Sequence, residues 1–341
     1  MRHLILSFVL TLLPLAGKAF EIEARVFFGD QNAPAVLRVI STADVDVFEP
    51  MIEGFLENND MVAVDYTVVS STELMKAIGT EKAPFDVAIS SAMDLQTKLA
   101  NDGFTSSYTS QATAELPDWA RWRQDLFAFT QEPAAIVLSK SAFEGLQMPQ
   151  SRQDLISILR QHPERFRGKV GTYDLRQSGL GYLFATQDSR TSEIYWRLTE
   201  VMGALDAKLY CCSSAMIDDV ATGKLSVAYN VLGSYALSRP DTDQFTVLLP
   251  SDFTTVMMRT ILIPANAANK DLARPFIDYL LQKAWDTTTQ PSLPLSISNS
   301  SIAAKKDSLQ RIRLGPGLLI FLDEYKKVSF LAAWENAILQ D

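Results

Sequence analysis

Short apolar segments alternate with stretches of helical periodicity over the first third of the chain. Residues 36–41, 62–70 and 85–90 are predicted strands, and each is followed by apolar positions at helical spacing. Strands that alternate with helices are typical of a parallel sheet. The alternation returns after residue 150, so the pattern predicts a second α/β unit. An extended run at Glu132-Pro133 predicts the first crossing between the units, because proline restricts the residue before it to extended geometry.

Two of the predicted strands of the first unit end in pairs of hydroxyl side chains. Ser41-Thr42 and Ser90-Ser91 both lie where a strand gives way to a helix. Because the carboxyl ends of parallel strands share one sheet edge, these side chains are candidates for the wall of a ligand cleft. The alternative is that all four hydroxyls only cap helices.

The second unit offers a comparable turn at Ser178-Gly179, between a predicted strand and a predicted helix. The free amides at such a helix start favour anions. The spacing does not fit a dinucleotide fingerprint or a P-loop. Arg176 is either a further anion ligand through charge-assisted hydrogen bonds or a solvated surface arginine.

A second candidate turn in this unit is SVAYNVLGSYALSR, residues 226–239. It begins as an apolar strand, breaks at glycine and resumes as a helix, and it carries Tyr229, Asn230 and Tyr235. Ligands of open α/β sheets bind at junctions of this kind. The alternative is an ordinary strand-to-helix turn with half-buried tyrosines.

The first 19 residues have the pattern of a cleavable secretory signal: Arg2, an apolar run, then small residues. The apolar run is shorter than the roughly 20 residues that span a bilayer. We therefore expect a periplasmic protein that is not embedded in the membrane. The chain has 31 basic and 40 acidic residues, a net charge of -9, which makes nucleic acid a poor partner.

Histidine and cysteine are sparse. The two histidines are His3, within the signal, and His162, so a zinc site with several histidines is excluded from the mature chain. Cys211 and Cys212 are adjacent; they are either mostly buried thiols or a strained, easily reduced disulfide. We expect no metal and no cofactor.

Three segments, DVAISSAMDLQTKLANDG, TQEPAAIV and KLSVAYNVLGSYALSR, together resemble the extracellular solute-binding proteins of ABC transporters. The tail LGPGLLIFLDEYKK is similar to the branch that includes ferric-ion-binding and phosphorylated-sugar-binding receptors. The resemblance implies an α/β fold with two lobes of periplasmic-binding-protein type II. Each lobe would hold a mostly parallel sheet flanked by helices, with a ligand cleft between the lobes.

The resulting division of the chain has five parts. It assigns residues 1–19 to a signal peptide, 20–131 to the first part of lobe 1, 132–262 to lobe 2, 263–310 to a return segment of lobe 1, and 311–341 to C-terminal helices packed on the lobes.

Within that branch, ferric-binding relatives use two consecutive tyrosines near the position of Tyr235, where this chain has Tyr235-Ala236. The counterparts of their histidine and carboxylate are hydroxyl residues here. Iron(III) prefers anionic oxygen ligands, so these departures from the ferric-binding pattern favour a small phosphorylated or carboxylated metabolite instead. The expected ligand-binding residues are Ser41, Thr42, Ser90, Ser91, Arg176, Ser178, Gly179, Tyr229, Asn230 and Tyr235.

The expected function is therefore a monomeric, non-enzymatic binding protein that delivers this anion to an ABC permease. One alternative is a ferric-iron-binding protein, and another is a ligand-sensing partner of a membrane sensor kinase. A third is an enzyme on the same scaffold, with Cys211 or Cys212 as nucleophile and Glu132 as base.

Overall fold

The computed structural model describes residues 20–285 and 308–340. The predicted signal peptide, residues 1–19, lies outside these ranges, and so do residues 286–307 of the predicted return segment. No helix within the described ranges combines the length and hydropathy that a membrane span requires.

The strands, in chain order, are β1 (Ala24–Phe28), β2 (Ala35–Ser41), β3 (Val62–Val68), β4 (Val87–Ser90), β5 (Arg121–Trp122), β6 (Leu126–Ala128), β7 (Glu132–Ser139), β8 (Val170–Tyr173), β9 (Lys208–Tyr210), β10 (Val227–Leu232), β11 (Phe245–Leu248), β12 (Thr254–Met257), β13 (Thr260–Leu262) and β14 (Leu309–Arg311). The strands predicted at 36–41, 62–70 and 85–90 are thus confirmed as β2, β3 and β4.

The α-helices are α1 (Val45–Leu56), α2 (Ser71–Met75), α3 (Met93–Asn101), α4 (Gln111–Ala114), α5 (Arg152–Gln161), α6 (Pro163–Phe166), α7 (Gly179–Thr191), α8 (Ile194–Ala204), α9 (Ser213–Ala221), α10 (Gly233–Leu237), α11 (Lys270–Trp285) and α12 (Glu324–Ile338). A π-helical turn, Lys76–Thr80, continues α2, and Pro316–Leu322 forms a 3₁₀-helical segment.

The described strands form two sheets, each the centre of one lobe. The first sheet has the order β1-β3-β2-β4-β13-β6-β5, and β2 runs parallel to both β3 and β4. The second has the order β14-β12-β7-β10-β8-β9, with β11 paired to β7, and β8 runs parallel to both β9 and β10. The predicted α/β fold of two lobes is confirmed. Both sheets are mixed, because the strands that join the lobes pair antiparallel to these parallel triplets.

Within residues 20–285, the chain crosses between the lobes at two places, from β6 to β7 and from β12 to β13. Strand β13 (Thr260–Leu262) pairs in the first sheet and β14 (Leu309–Arg311) in the second, each on the other side of the division expected from the sequence. The reason is that MMRTILIP is interrupted at Arg259, whose backbone leaves one sheet and enters the other.

A buried ion pair lies at these crossings. Arg259 donates to Glu132 from Nε at 3.2 Å and from Nη2 at 3.3 Å, and both side chains are fully buried. Glu132 also accepts hydrogen bonds from Thr130 Oγ1 and Ser234 Oγ, each at 2.8 Å. The carboxylate is hydrogen-bonded on both oxygens, whereas Arg259 Nη1 is buried without a partner among the described residues. The pair links the two crossing segments, and removal of either partner would leave a buried charge.

The C-terminal part of the chain contacts both lobes. Helix α12 packs on α8 of the second lobe, and the segment Pro316–Leu322 packs on α3 of the first lobe. The Tyr182 hydroxyl on α7 donates to the Phe321 carbonyl at 2.6 Å, which fixes this segment to the second lobe.

The second lobe also has a buried polar cluster around Asp188. This carboxylate accepts hydrogen bonds from Tyr229 at 2.9 Å, Asn230 at 2.8 Å and Thr255 at 2.7 Å, and it lies 3.3 Å from Arg152. Arg152 in turn donates to the Tyr229 hydroxyl at 2.9 Å. The cluster therefore connects α5, α7, β10 and β12 inside the lobe.

Replacement of Arg152 by leucine would leave the Asp188 carboxylate buried without its cation. We expect the free energy of unfolding, measured by urea denaturation, to fall by about 3–5 kcal/mol. The control is Arg167→Leu, which removes an ion pair with Asp206 in which both side chains are more than half exposed, and little change is expected there. Equal losses in the two variants would contradict a special role of the buried cluster.

Candidate functional site

A narrow cleft lies between the two lobes, at the carboxyl ends of both parallel triplets. Its free space is about 60 Å³, so the two walls lie close together. The lining residues are Glu23, Thr42, Asp44, Val69, Ser70, Ser71, Ser91, Tyr173, Ser178, Leu180, Cys211, Cys212, Ser213, Ser214, Leu232 and Tyr235. A larger groove of about 760 Å³ lies on the outer face of the second lobe, between α5, α8 and α12. We take the cleft as the site because ligands of open α/β sheets bind at carboxyl strand ends.

In the first lobe, the paired hydroxyls divide their roles. Ser41 and Ser90 are buried, and their Oγ atoms accept the amides of Ala43 and Ala92 at 3.0 and 3.1 Å. Thr42 and Ser91 instead line the cleft, where Thr42 Oγ1 accepts the Ser91 amide at 3.1 Å. Of the four residues expected in this wall, the structure therefore brings two to the cleft and uses the other two within the turns.

A third hydroxyl pair, Ser70-Ser71, was not among the expected residues. It follows β3 just as the other pairs follow β2 and β4, so the same sequence pattern could have identified it. Ser70 caps α2 by accepting the Glu73 amide at 3.2 Å. The Ser71 Oγ accepts the Gly179 amide of the opposite lobe at 3.0 Å. This pair thus forms part of the contact between the lobes.

In the second lobe, two of the residues expected from the sequence, Ser178 and Tyr235, line the cleft. Ser178 Oγ accepts the Gly181 amide at 3.1 Å and caps α7. The Tyr235 hydroxyl accepts the amide of Asp44, across the cleft, at 3.3 Å. Gly179 is not a lining residue, because its amide is taken up by the contact with Ser71.

Three other expected residues lie away from the cleft. Arg176 pairs with Asp174 at 2.7 and 2.8 Å, and its guanidinium stands over the Trp334 ring. Tyr229 and Asn230 belong to the buried cluster around Asp188. The reason is local: β10 has a register shift between Ala228 and Val231, and Asn230 has a φ of 61°. This bulge turns both side chains into the lobe.

Two carboxylates of the first lobe, Glu23 and Asp44, also line the cleft and were not predicted from the sequence. Burial raises the pKa of Asp44, and a hydrogen bond from Ser214 partly opposes the shift. Burial and the charge of Asp44 together raise the pKa of Glu23. The residues lining the cleft include no Lys, Arg or His. The helices α1, α3, α7 and α9 begin at or beside the cleft, so the positive ends of their dipoles point toward it.

The adjacent cysteines also line the cleft. Both are free thiols; Cys211 is exposed and Cys212 is half-buried, so the expectation of mostly buried thiols is wrong. They are accessible because they lie between the end of β9 and the start of α9. Among the residues that the structure describes, no group of three or more His, Cys, Asp or Glu could hold a metal ion.

Comparisons with known proteins agree with this geometry. The family described as bacterial extracellular solute-binding protein matches residues 41–287. No curated protein matches the chain. The chain belongs to the bacterial extracellular solute-binding protein family. The resemblance inferred from the sequence is thereby confirmed.

Solved structures of the same fold include the substrate-binding protein of an ABC transporter from Agrobacterium tumefaciens. It is 32% identical, with a TM-score of 0.85 over 93% of this chain and 98% of that chain. AfuA from Actinobacillus pleuropneumoniae, with exogenous fructose-6-phosphate bound, is 17% identical, with a TM-score of 0.72 over 90% of this chain and 100% of that chain. Apo ferric ion-binding protein A from Pasteurella haemolytica is 17% identical, with a TM-score of 0.65 over 90% and 98%.

Closure of this solute-binding protein depends on the small size of Gly179. A Cβ there would lie 2.6 Å from Ser71 Oγ and 2.8 Å from Leu95 Cδ1, both in the opposite lobe. We expect Gly179→Ala to cost the closed form about 1–3 kcal/mol by overpacking. The radius of gyration from small-angle scattering should then increase. Gly317→Ala, whose Cβ would meet nothing within 4 Å, is the control. Identical scattering from all three proteins would contradict this prediction.

The interlobe contact also contains a buried acid. Asp94 on α3 is 3% exposed, and burial raises the pKa of its carboxyl to about 7, with weaker opposing effects from the Leu95 amide and Lys327. The folded protein then binds a proton that the unfolded chain, with an Asp pKa of about 3.9, has released. Stability from this group is complete below about pH 4 and is lost as pH rises to about 7.

We therefore expect Asp94→Asn to flatten the pH dependence of unfolding between pH 4 and 7. The free energy of unfolding of the wild type should fall by up to about 1.4 kcal/mol per pH unit more than that of the variant. Urea denaturation of both proteins at several pH values gives the difference between their free energies of unfolding. The contributions of Glu23 and Asp44 are common to both proteins and cancel in this difference. Parallel curves would contradict it.

Proposed function

We propose that the chain is the periplasmic solute-binding component of an ABC transporter, and that it captures a small phosphorylated or carboxylated metabolite in the interlobe cleft. The observation that carries the proposal is the convergence of the starts of α1 and α9, one from each lobe, on one cleft lined by hydroxyls. The first amides of α3 and α7 are already hydrogen-bonded within the protein. The first-turn amides of a helix have no partner inside the helix and carry positive potential. An anionic group bound there needs no basic side chain.

The two carboxylates refine the chemistry of this ligand. Glu23 and Asp44 can accept hydrogen bonds from hydroxyl groups of a solute, while Ser91, Ser178 and Ser213 can donate to its anionic oxygens. A bare oxyanion would meet the carboxylates without such compensation. We therefore favour an organic anion with hydroxyl groups, such as a sugar phosphate, over inorganic phosphate.

The alternative of ferric iron is less consistent with the chemistry of Tyr235. An iron(III) site needs anionic oxygen ligands, so the phenol would have to lose its proton. Burial raises the pKa of Tyr235 to about 12, although the nearby charge of Arg259 opposes the shift. The next residue is Ala236, so no second phenol follows it.

We also propose that the protein is not an enzyme. The enzymatic alternative needs Cys211 or Cys212 as nucleophile with Glu132 as base. Burial raises the pKa of the Cys212 thiol to about 12, which disfavours the thiolate. The Glu132 carboxylate is engaged by Arg259, Thr130 and Ser234, and it does not line the cleft. We expect a monomer that passes its solute to a membrane permease.

Isothermal titration tests the ligand class. The probes are fructose 6-phosphate, unphosphorylated fructose, inorganic phosphate, citrate and ferric ion. We expect an organic anion to bind, and fructose and inorganic phosphate to bind much more weakly. Folded protein that binds none of the anions, or that binds ferric ion alone, would refute the proposed ligand class.

Adjacent serines provide a matched pair of variants. Ser91→Ala should lower the affinity for the best-binding anion about tenfold or more, because a hydrogen bond to a charged group contributes roughly 1.5–3 kcal/mol. Ser90→Ala should instead lower the free energy of unfolding by about 1 kcal/mol and leave the affinity unchanged, since its hydroxyl bonds only within the turn. The reverse pattern would place the ligand elsewhere.

A further inference from the structure

The two adjacent cysteines form an accessible dithiol in the wall of the cleft. The Cys211 and Cys212 side chains are in contact through their Sγ atoms, and both residues are free thiols. Cys211 follows β9, and Cys212 is the residue immediately before α9. Across the cleft they face the first-lobe side chains Glu23, Thr42 and Asp44. The proposed solute-binding function gives neither thiol a role.

The two thiols differ in accessibility. Cys211 is exposed, whereas Cys212 is half-buried. An incoming oxidant therefore meets Cys211 first. Cys212 is the adjacent thiol that can complete an exchange reaction.

We propose that Cys211 and Cys212 are a thiol–disulfide exchange site that takes a disulfide as oxidant and controls the shape of the cleft. The Cys211 thiolate attacks one sulfur of the disulfide, which forms a mixed disulfide and releases one thiol. Cys212 then attacks the Cys211 sulfur and passes its proton to the departing thiolate, which forms the Cys211–Cys212 bond and releases the second thiol. The two cysteines lose two electrons and two protons, and the external disulfide is reduced to two thiols.

Bond formation between neighbours changes the local backbone. Successive Cα atoms across a trans peptide are about 3.8 Å apart, below the roughly 4.4–6.8 Å usual for a disulfide. The turn must adjust, and the bond is readily reduced. The next residue is Ser213, whose Oγ accepts the Leu232 amide at 2.9 Å and lies 2.5 Å from the Tyr173 hydroxyl. Oxidation therefore displaces the start of α9 and its part of the cleft wall.

Mass spectrometry of the full mature chain tests the exchange. The native protein is equilibrated with oxidised glutathione, then treated with iodoacetamide. We expect a loss of two hydrogens, a peptide with an internal Cys211–Cys212 bond, and complete reversal by reduced glutathione. Alkylation of both thiols, or a stable adduct with two glutathiones, would overturn the proposal.

Two variants test the order of attack. Cys212→Ser should retain one glutathione on Cys211, because the resolving thiol is gone. Cys211→Ser should react with glutathione several-fold more slowly than Cys212→Ser. Equal rates would refute the assigned order, and both measurements are independent of whether any solute binds.

The effect on the cleft has its own readouts. Hydrogen exchange at the first amides of α9 should be faster in the oxidised protein, and unchanged exchange would overturn the link to the cleft wall. An effect on solute affinity rests on the proposed function. With fructose 6-phosphate as probe, the affinity should differ several-fold between oxidised and reduced protein. Formation of the disulfide without binding of any tested anion would refute the proposed function and leave the exchange site supported.

Discussion

The buried pair of Glu132 and Arg259 is the interaction on which the arrangement of the two lobes depends. Glu132 lies at the crossing from β6 to β7 and Arg259 at the crossing from β12 to β13, so the pair fixes one crossing against the other. Ser234, at the start of α10, donates to the same carboxylate and so links the cleft wall that contains Tyr235 to this point. A buried charge without its partner is strongly destabilising. The pair therefore holds the six carboxyl strand ends in positions where they face one another.

The sequence was sufficient for those parts of the fold and site that depend on local interactions. Apolar periodicity located β2, β3 and β4, and the hydroxyls after two of these strands indicated one wall of the cleft. The turn itself decides which hydroxyl of each pair caps and which faces the ligand space. In Ser41-Thr42 and Ser90-Ser91, the backbone geometry at the end of the strand determines which hydroxyl caps the turn. A pattern of residue types does not contain this geometry.

Other parts depended on partners that are distant in the sequence. The side chains of Tyr229 and Asn230 point into the lobe, where both donate hydrogen bonds to Asp188. The bulge in β10 gives them this orientation. Arg176 turns away because Asp174 and Glu335 attract it. The second crossing was hidden because an apolar run that changes sheets has the same composition as one long strand. Glu23 and Asp44 were not predicted because each lies just before a strand or helix. The order of strands in the sheet, which the sequence pattern does not show, places them at the cleft.

The segment Pro316–Leu322 has a consequence for the thermodynamics of solute capture. It rests on α3 of the first lobe while Tyr182 binds its Phe321 carbonyl from the second. Opening of the cleft must separate one of these contacts, so both contacts stabilise the shut arrangement whether or not solute is bound. They thereby lower the conformational penalty on binding, since the apparent dissociation constant is the intrinsic one divided by the competent fraction. Release of the solute requires the cleft to open, which costs free energy. A partner that binds the open arrangement more tightly must supply that free energy.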